Sequence, residues 1–406
     1  MRFFYPTATP ELQARFDLVA FDPRGTDRTA PITCGTPEEY RRMWEADTAR
    51  PTPGGFERAV NQAKTFNELC MRDSAEMLPY VGTEYAARDL DLLRAAVGDE
   101  KLSRAGFSYA TYLGTVYANL FPDKVRAMSL DSAVDPYGYV HTNRIFRSEY
   151  DQFVNQDQGL ERFLAWCKGA PTYCTFGGGD PRAAFLRLQQ RFDDAPVRSG
   201  DGTVLVNGFT FSFQVMARLS GGKVRWQMMA NELVNAERGT GYFMTANTVA
   251  DDPAFLMRNT AIECADRPFP RSLPMLSSVN AAQVKSAPLL GPAFAHGLPS
   301  YDQSHSPACV QWPAQRRSNY TGAFNASGKT PILVVGSTGD PDVRFEDSVT
   351  LANTLTNARL LTFKGEGHIA YRNSACVRDK MTIYLINLTM PSPNAVCDDD
   401  LVLPTG

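Results

Sequence analysis

The segment Gly106-Phe107-Ser108-Tyr109-Ala110 constrains this chain more than any other. It stands between a run suited to a buried strand, Leu102 to Phe107, and a helix that reaches Phe121 and stops before Pro122. A nucleophilic serine needs such a junction. A sharp turn lifts its hydroxyl above the sheet, and small neighbours let the helix pack close. Gly106 meets that need, Ala110 adds one methyl where a second glycine is usual, and Gly114 keeps the next turn slim. The same turn aims the Tyr109 amide at a developing oxyanion, as does the helix N-terminus. Alone, the pentapeptide reads more readily as a packing motif; its strand-turn-helix setting favours a nucleophile.

That setting extends in both directions. Phe16-Asp17-Leu18-Val19-Ala20-Phe21 is a mostly apolar run closed by the turn Asp22-Pro23-Arg24-Gly25, and it predicts a strand buried in a parallel sheet. A helix is expected from Glu84 to Val97, with Thr83 capping its first amides, Leu90, Leu93 and Val97 on one face, and Gly98 ending it. Val125 to Leu130 is the next strand. Strand and helix therefore alternate, which implies an α/β fold with right-handed crossovers.

From Asp135 to Ser327 the pattern changes to helical periodicity, aromatics and loops, with helices at Leu160–Trp166, Pro181–Phe192 and Gln227–Glu237. Strand composition returns at Lys329–Val335 and again at Ala358–Phe363. Helices are expected over Phe345–Leu355 and Cys376–Leu385. The expected architecture is a mostly parallel sheet flanked by helices. A discontinuous core of residues 1–136 and 328–406 is interrupted by a helical cap of residues 137–327, inserted before the last strands.

A serine nucleophile requires a base, and the chain has four histidines. His368, in Gly365-Glu366-Gly367-His368, follows an apolar strand near the C-terminus, where a parallel sheet collects its functional loops. His141, His296 and His305 fall in the insertion and read as surface or structural residues. The acid that orients the imidazole belongs after a strand between serine and histidine. Asp340, in Gly336-Ser337-Thr338-Gly339-Asp340-Pro341, fits; Asp342 and Asp131 are its rivals.

Other features bound the function class. The net charge is −3 and no basic run exceeds a pair such as Arg41-Arg42, which argues against a nucleic-acid partner. No stretch nears the roughly 18 apolar residues of a membrane span. The first residues lack the h-region of roughly 7–15 residues that a signal peptide needs. The eight cysteines pair by neighbour as Cys34/Cys70, Cys167/Cys174, Cys264/Cys309 and Cys376/Cys397. An even count with short loops favours disulfides and an oxidising compartment over buried free thiols, although eight cysteines allow about 105 connectivities. None has metal-site spacing beside histidines, so neither metal nor cofactor is expected.

Taken as a set, these residues resemble the tripeptidyl and prolyl aminopeptidase-like branch of the α/β-hydrolases. The likeness lies in Phe16 to Gly25 followed by Pro31 and Cys34, in Gly106 to Gly114, in Leu130-Asp131-Ser132-Ala133-Val134-Asp135-Pro136, and in Pro331 through Asp340 and His368 to Cys376 and Cys397. The resemblance implies a secreted serine exopeptidase that removes short N-terminal pieces from peptides beneath a helical cap. Such a substrate presents an amine, for which Glu263 and Asp266 are candidate partners, pinned by a disulfide at Cys264; solvated loop acids are the alternative.

Departures accompany the likeness. Ala110 replaces Gly, Asp342-Val343-Arg344 stands where the family has Val-Thr-Pro, and Asp27 replaces a turn Gly. Members of that branch also begin with three further strands and a Gly-Gly-Pro-Gly loop ahead of the Phe16 counterpart, and that loop gives the second oxyanion donor. The third of those strands lies between the Phe16 and Ser108 strands. Met1 is therefore expected to be an internal methionine of a longer exported protein. In a genuine short form, the flanking strands pair directly or another segment fills the slot. Two other readings stay open: an esterase or lactonase on the same triad, and a non-catalytic binding protein of hydrolase shape.

Overall fold

Apolar runs bounded by turn residues become the strands of the protein, whose computed structural model describes residues 7–45, 52–141, 152–198, 205–240, 253–294, 306–315 and 320–404. In chain order, β1 spans Leu102–Phe107, β2 Val125–Asp131, β3 Val197–Arg198, β4 Leu205–Val206, β5 Ile332–Gly339, β6 Ala358–Glu366 and β7 Val396–Asp398. One sheet holds β1-β2-β5-β6-β7 in that order, with every neighbouring pair parallel. The short strands β3 and β4 pair antiparallel by themselves.

Alternation along the central strands explains why the sheet is covered on both faces. Met128, Leu130, Ile332 and Val334 enter one apolar cluster with Leu90, Leu113 and Val116 of the helices at Thr83–Ala96 and Tyr109–Leu120. Their strand neighbours Ala127, Leu333 and Val335 enter a second cluster. It also contains Leu361 and Phe363 of β6 and Val377, Met381 and Tyr384 of the Ala375–Asn387 helix. Period-two side chains thus feed two layers from one strand, as a doubly covered parallel sheet requires.

The chain divides into two compact units. One comprises residues 1–31, 80–141 and 316–400 and carries the five-stranded sheet; the other comprises 32–79, 142–315 and 401–406. The second unit is largely helical, with helices at Gly55–Ser74, Gln152–Gly169, Pro181–Asp194, Gly208–Leu219, Trp226–Glu237, Pro253–Asp266 and Leu273–Ser286. Asp180 and Asn207 cap two of them by accepting the amides of Ala183 and Thr210. Its core is aromatic: Phe163, Phe185, Phe192, Phe209, Phe211 and Phe213 are all buried.

Two expectations fail. Phe16–Phe21 forms no strand. It leaves the Pro10–Arg15 helix at Phe16 and lines a cavity of about 600 Å³, whose other walls include Leu90, Leu93, Val97, Leu102, Ala105 and Phe107. A strand exists only where a neighbour completes its ladder. The cavity stands where the family resemblance puts a further strand, so β1 is an edge and most of its residues are only partly buried. Thr83 is also not the cap of its helix. Gly82 holds that place, and the Thr83 hydroxyl is hydrogen-bonded to the Tyr109 hydroxyl instead.

All four neighbouring cysteine pairs are disulfides, and no free cysteine occurs among the described residues. Cys34 and Cys70 are bridged as the sequence suggested, but they do not lie with the sheet, although both fall within residues 1–136 of the expected core. Cys70 sits fully buried on the Gly55–Ser74 helix, which belongs to the helical unit. The reason is where that helix finds its partner: it packs on the short Pro307–Val310 helix, and Asn67, one turn before Cys70, donates to the Ala308 carbonyl at 3.0 Å. The bridge then fastens the segment entering this unit, whose Thr33 amide donates to Ser74 Oγ at 2.9 Å.

Cys264–Cys309 spans 45 residues and Cys167–Cys174 spans 7. In the chain-entropy account the longer closure contributes about 4 kcal/mol and the shorter about 2 kcal/mol. Removing the Cys264–Cys309 pair by double Ser substitution is therefore expected to lower the urea midpoint more than removing Cys167–Cys174. Equal midpoints would contradict that ordering.

Candidate active site

Ser108 follows β1 and opens the Tyr109–Leu120 helix with φ 55 and ψ −130, a backbone region that L residues rarely adopt. Surrounding contacts hold the turn. The Ser108 amide donates to the Asp131 carbonyl at 3.0 Å. Its own carbonyl accepts the Thr111 amide at 2.8 Å and the Thr111 hydroxyl at 2.6 Å. Gly106 is required here, because a Cβ at that position would lie 2.8 Å from the Ala110 carbonyl oxygen. Gly114 is equally constrained, since a Cβ would come within 2.8 Å of Leu130. Ala110 is tolerated because the close approach is borne by Gly106. Tyr109 is the first helical residue, at the positive end of the helix dipole.

Asp340 and His368 meet. Asp340 follows β5 and is buried, and its two oxygens lie 3.1 and 3.0 Å from His368 Nδ1. Oδ1 also accepts the amides of Asp342 at 2.8 Å and Val343 at 3.0 Å, which fixes the carboxylate. His368 follows β6, and Gly367 ahead of it donates its amide to the Gly339 carbonyl at 3.2 Å. Among the described residues, no hydrogen bond joins the His368 ring to Ser108 Oγ. In unliganded centres that contact is commonly long and closes with substrate.

The rivals occupy other positions. Asp131 ends β2 fully buried, and both its oxygens are taken by backbone amides, of Ala370 at 3.1 Å and Tyr371 at 2.8 Å. Asp342 is only partly buried, and its ligand atom lies within 4.8 Å of those of Asp340 and His368. These three residues are the described group that could hold a cation. Orientation of the imidazole by Asp340 uses the same Nδ1.

His141 is described and partly buried, whereas His296 and His305 lie outside the described residues. Glu263 and Asp266 sit on the Pro253–Asp266 helix rather than in a solvated loop, and both are buried. Cys264 is bridged to Cys309, as expected. The Glu263 carboxylate is held by Arg267 at 2.8 Å, a buried i,i+4 ion pair that the sequence spacing on a helix could have revealed. What the sequence does not announce is Ser132, whose Oγ accepts the Ile369 amide at 2.9 Å right after the histidine.

Electrostatics set the histidine apart. Burial lowers its pKa, but the charge and hydrogen bond of Asp340, followed by the charges of Asp342 and Asp131, outweigh that and raise it to about 9. The carboxyl of Asp131 is raised to about 7 by burial, against the opposing pull of the two amides it accepts.

Comparison with known proteins identifies the chain's relatives. Residues 299–397 match the family described as TAP-like protein, and residues 3–201 match the alpha/beta hydrolase fold. The chain is 30% identical over 399 residues to a protein named tripeptidyl aminopeptidase from Streptomyces lividans, covering 94% of this chain and 70% of that one. It is 30% identical over 418 residues to a protein named serine protease Hip1 from Mycobacterium tuberculosis, covering 97% and 76%. A protein named carboxylesterase B, also from Mycobacterium tuberculosis, is 27% identical over 416 residues, covering 96% and 75%.

A base must be unprotonated to accept a proton, so activity that depends on His368 is lost as pH falls through its pKa. The acid limb of kcat/KM is expected well to the alkaline side of the ordinary histidine value of about 6.5. Asp342→Asn removes one of the charges that raise it and should move the limb toward lower pH. A limb at or below about 6.5 in the unmodified protein would contradict the upward shift of His368.

Proposed function

The chain belongs to the TAP-like family of α/β-hydrolases and is a serine hydrolase; we propose that it is an exopeptidase that releases short N-terminal peptides or residues through an acyl-enzyme. In this reading Ser108 is the nucleophile, His368 the general base and Asp340 the acid that orients it. The contact between the Asp340 carboxylate and His368 Nδ1 carries the proposal. It leaves Nε2 as the acceptor for the serine proton and favours the imidazolium that forms.

The reaction then follows. Ser108 Oγ attacks the scissile carbonyl while its proton passes to His368. The Tyr109 amide donates to the oxyanion, and the imidazolium returns the proton to the leaving amine. Water, deprotonated by His368, hydrolyses the acyl-enzyme. One missing oxyanion donor costs about 10²–10³ in rate. A protein with the Tyr109 amide alone in that role would turn over activated esters more readily than amides.

Substrate class follows the relatives named as peptidases. A free α-amine calls for a buried carboxylate, and Glu263 and Asp266 are the proposed pair, with Glu263 giving up part of its bond to Arg267. Residues 137–327 are proposed as the cap that selects the substrate. Secretion belongs to the same reading. Four disulfides fit an oxidising compartment, and no helix among the described residues is long and apolar enough to cross a membrane. Esterase activity on the same triad is the second reading, favoured by the likeness to the protein named carboxylesterase B.

A fluorophosphonate probe should label the protein at Ser108, and Ser108→Ala should abolish labelling and reduce turnover by about 10⁶-fold. Labelling that persists in Ser108→Ala would refute this nucleophile. Absence of labelling in the unmodified protein would instead support the non-catalytic reading. A tripeptide anilide and a short acyl ester, compared by kcat/KM, separate peptidase from esterase. For the anilide, Glu263→Gln should raise KM while leaving KM for the ester unchanged; an equal change on both would remove Glu263 from amine recognition.

A further inference from the structure

Residues 131 and 132 receive the chain at both of the loops assigned to catalysis. The main-chain carbonyl of Asp131 accepts the Ser108 amide at 3.0 Å. Its side chain accepts the amide of Ala370 on Oδ1 at 3.1 Å and that of Tyr371 on Oδ2 at 2.8 Å. Ser132 Oγ takes the amide of Ile369 at 2.9 Å. Three consecutive amides immediately after His368 therefore end on two consecutive residues, the first of which also holds the nucleophile's turn.

The backbone on each side is under constraint. Ile369 has φ 72 and ψ 96, a conformation that costs a β-branched residue dearly and persists only where the surroundings over-determine it. Ser132 is itself at φ 56, and its amide is tied to the Val335 carbonyl of β5 at 3.0 Å. Asp131 stands opposite Phe107 in the β1–β2 register, at the C-terminal ends of both strands, and opposite Val335 in the β2–β5 register. Phe107 and Tyr371, the residues flanking the two loops, bring their rings to 5.8 Å between centroids. Asp131 is fully buried, and two amide donors are the compensation its carboxyl receives there.

We propose that Asp131 is a positioning residue for catalysis: its carboxylate fixes the loop of His368 while its carbonyl fixes the turn of Ser108, so that one residue sets the separation of nucleophile and base. This rests on the assignment of Ser108 and His368 made above. It differs from the role of a triad acid, because the Asp131 oxygens are spent on amides and the imidazole turns to Asp340. An error of about 1 Å in such a separation costs about 10²-fold in rate without loosening substrate binding.

The test is Asp131→Asn, which keeps the shape but replaces one acceptor by a donor facing an amide N–H. With folded protein counted by circular dichroism and an ester substrate, kcat should fall about 10- to 100-fold while KM stays within about twofold. Fluorophosphonate labelling should slow in step. A merely structural role would lower the melting temperature and leave kcat of the folded protein untouched, and that result overturns the proposal. Ser132→Ala removes only the Ile369 acceptor and serves if Asp131→Asn does not fold. A several-fold drop in kcat at constant KM supports the clamp, and unmodified kcat overturns it. Ser108→Ala and His368→Ala run beside them as controls. Activity surviving in either control defeats the triad assignment itself, whereas loss in both with unaltered kcat in Asp131→Asn defeats only the positioning role.

Discussion

The sheet-bearing unit depends on one constraint, the burial of β2 and β5 on both faces. Met128 and Leu130 leave on one side and Ala127 on the other; Ile332 and Val334 oppose Leu333 and Val335 in the same way. Such strands leave little room for charge: Arg126 of β2 is only partly buried and sends its guanidinium to the Leu385 and Ile386 carbonyls. Polar chemistry is driven to the strand ends, where Asp131, Asp340 and His368 follow β2, β5 and β6, and Ser108 follows β1. Asp340 and His368 meet at those ends, beyond the apolar layers.

The left-handed backbone at Ser108 depends on the same packing. Its conformation is unfavourable in isolation, and it is maintained by Gly106 against the Ala110 carbonyl, Gly114 against Leu130, and the Asp131 carbonyl on the serine amide. Leu130 belongs to the apolar layer itself. The turn is therefore an extension of the core, and a small change in the packing of Leu130 is felt at the hydroxyl.

Much of this could be read from the sequence because it is local. β1, the Tyr109–Leu120 helix, β2, β5 and β6 follow from short apolar runs, periodicity and turn residues, and Asp340 and His368 follow from their places after strands. What escaped depends on distant partners. Phe16–Phe21 has strand composition, yet composition does not report whether a neighbouring strand completes the ladder. Thr83 has the chemistry of a cap, but its hydroxyl is paired with Tyr109, far along the chain. The pairing of Cys34 with Cys70 was legible from order alone, whereas the unit that Cys70 joins depends on Ala308, which lies far beyond it in the chain. The amides that Asp131 accepts belong to residues more than two hundred positions away. Glu263 is the exception: its partner Arg267 is four residues on, and it went unread because no helix was expected over that stretch.

The two flanks of the sheet are finished differently, and this bears on how the protein breathes. At one margin the Cys376–Cys397 bridge ties β7 to the adjoining helix, so fraying there is limited covalently. At the other, β1 borders a hollow, with Leu102, Ala105 and Phe107 facing it in place of another strand. Opening events of low free energy are concentrated where support is thin. The serine's strand thus lies along the hollow and the histidine's strand beside the stapled one.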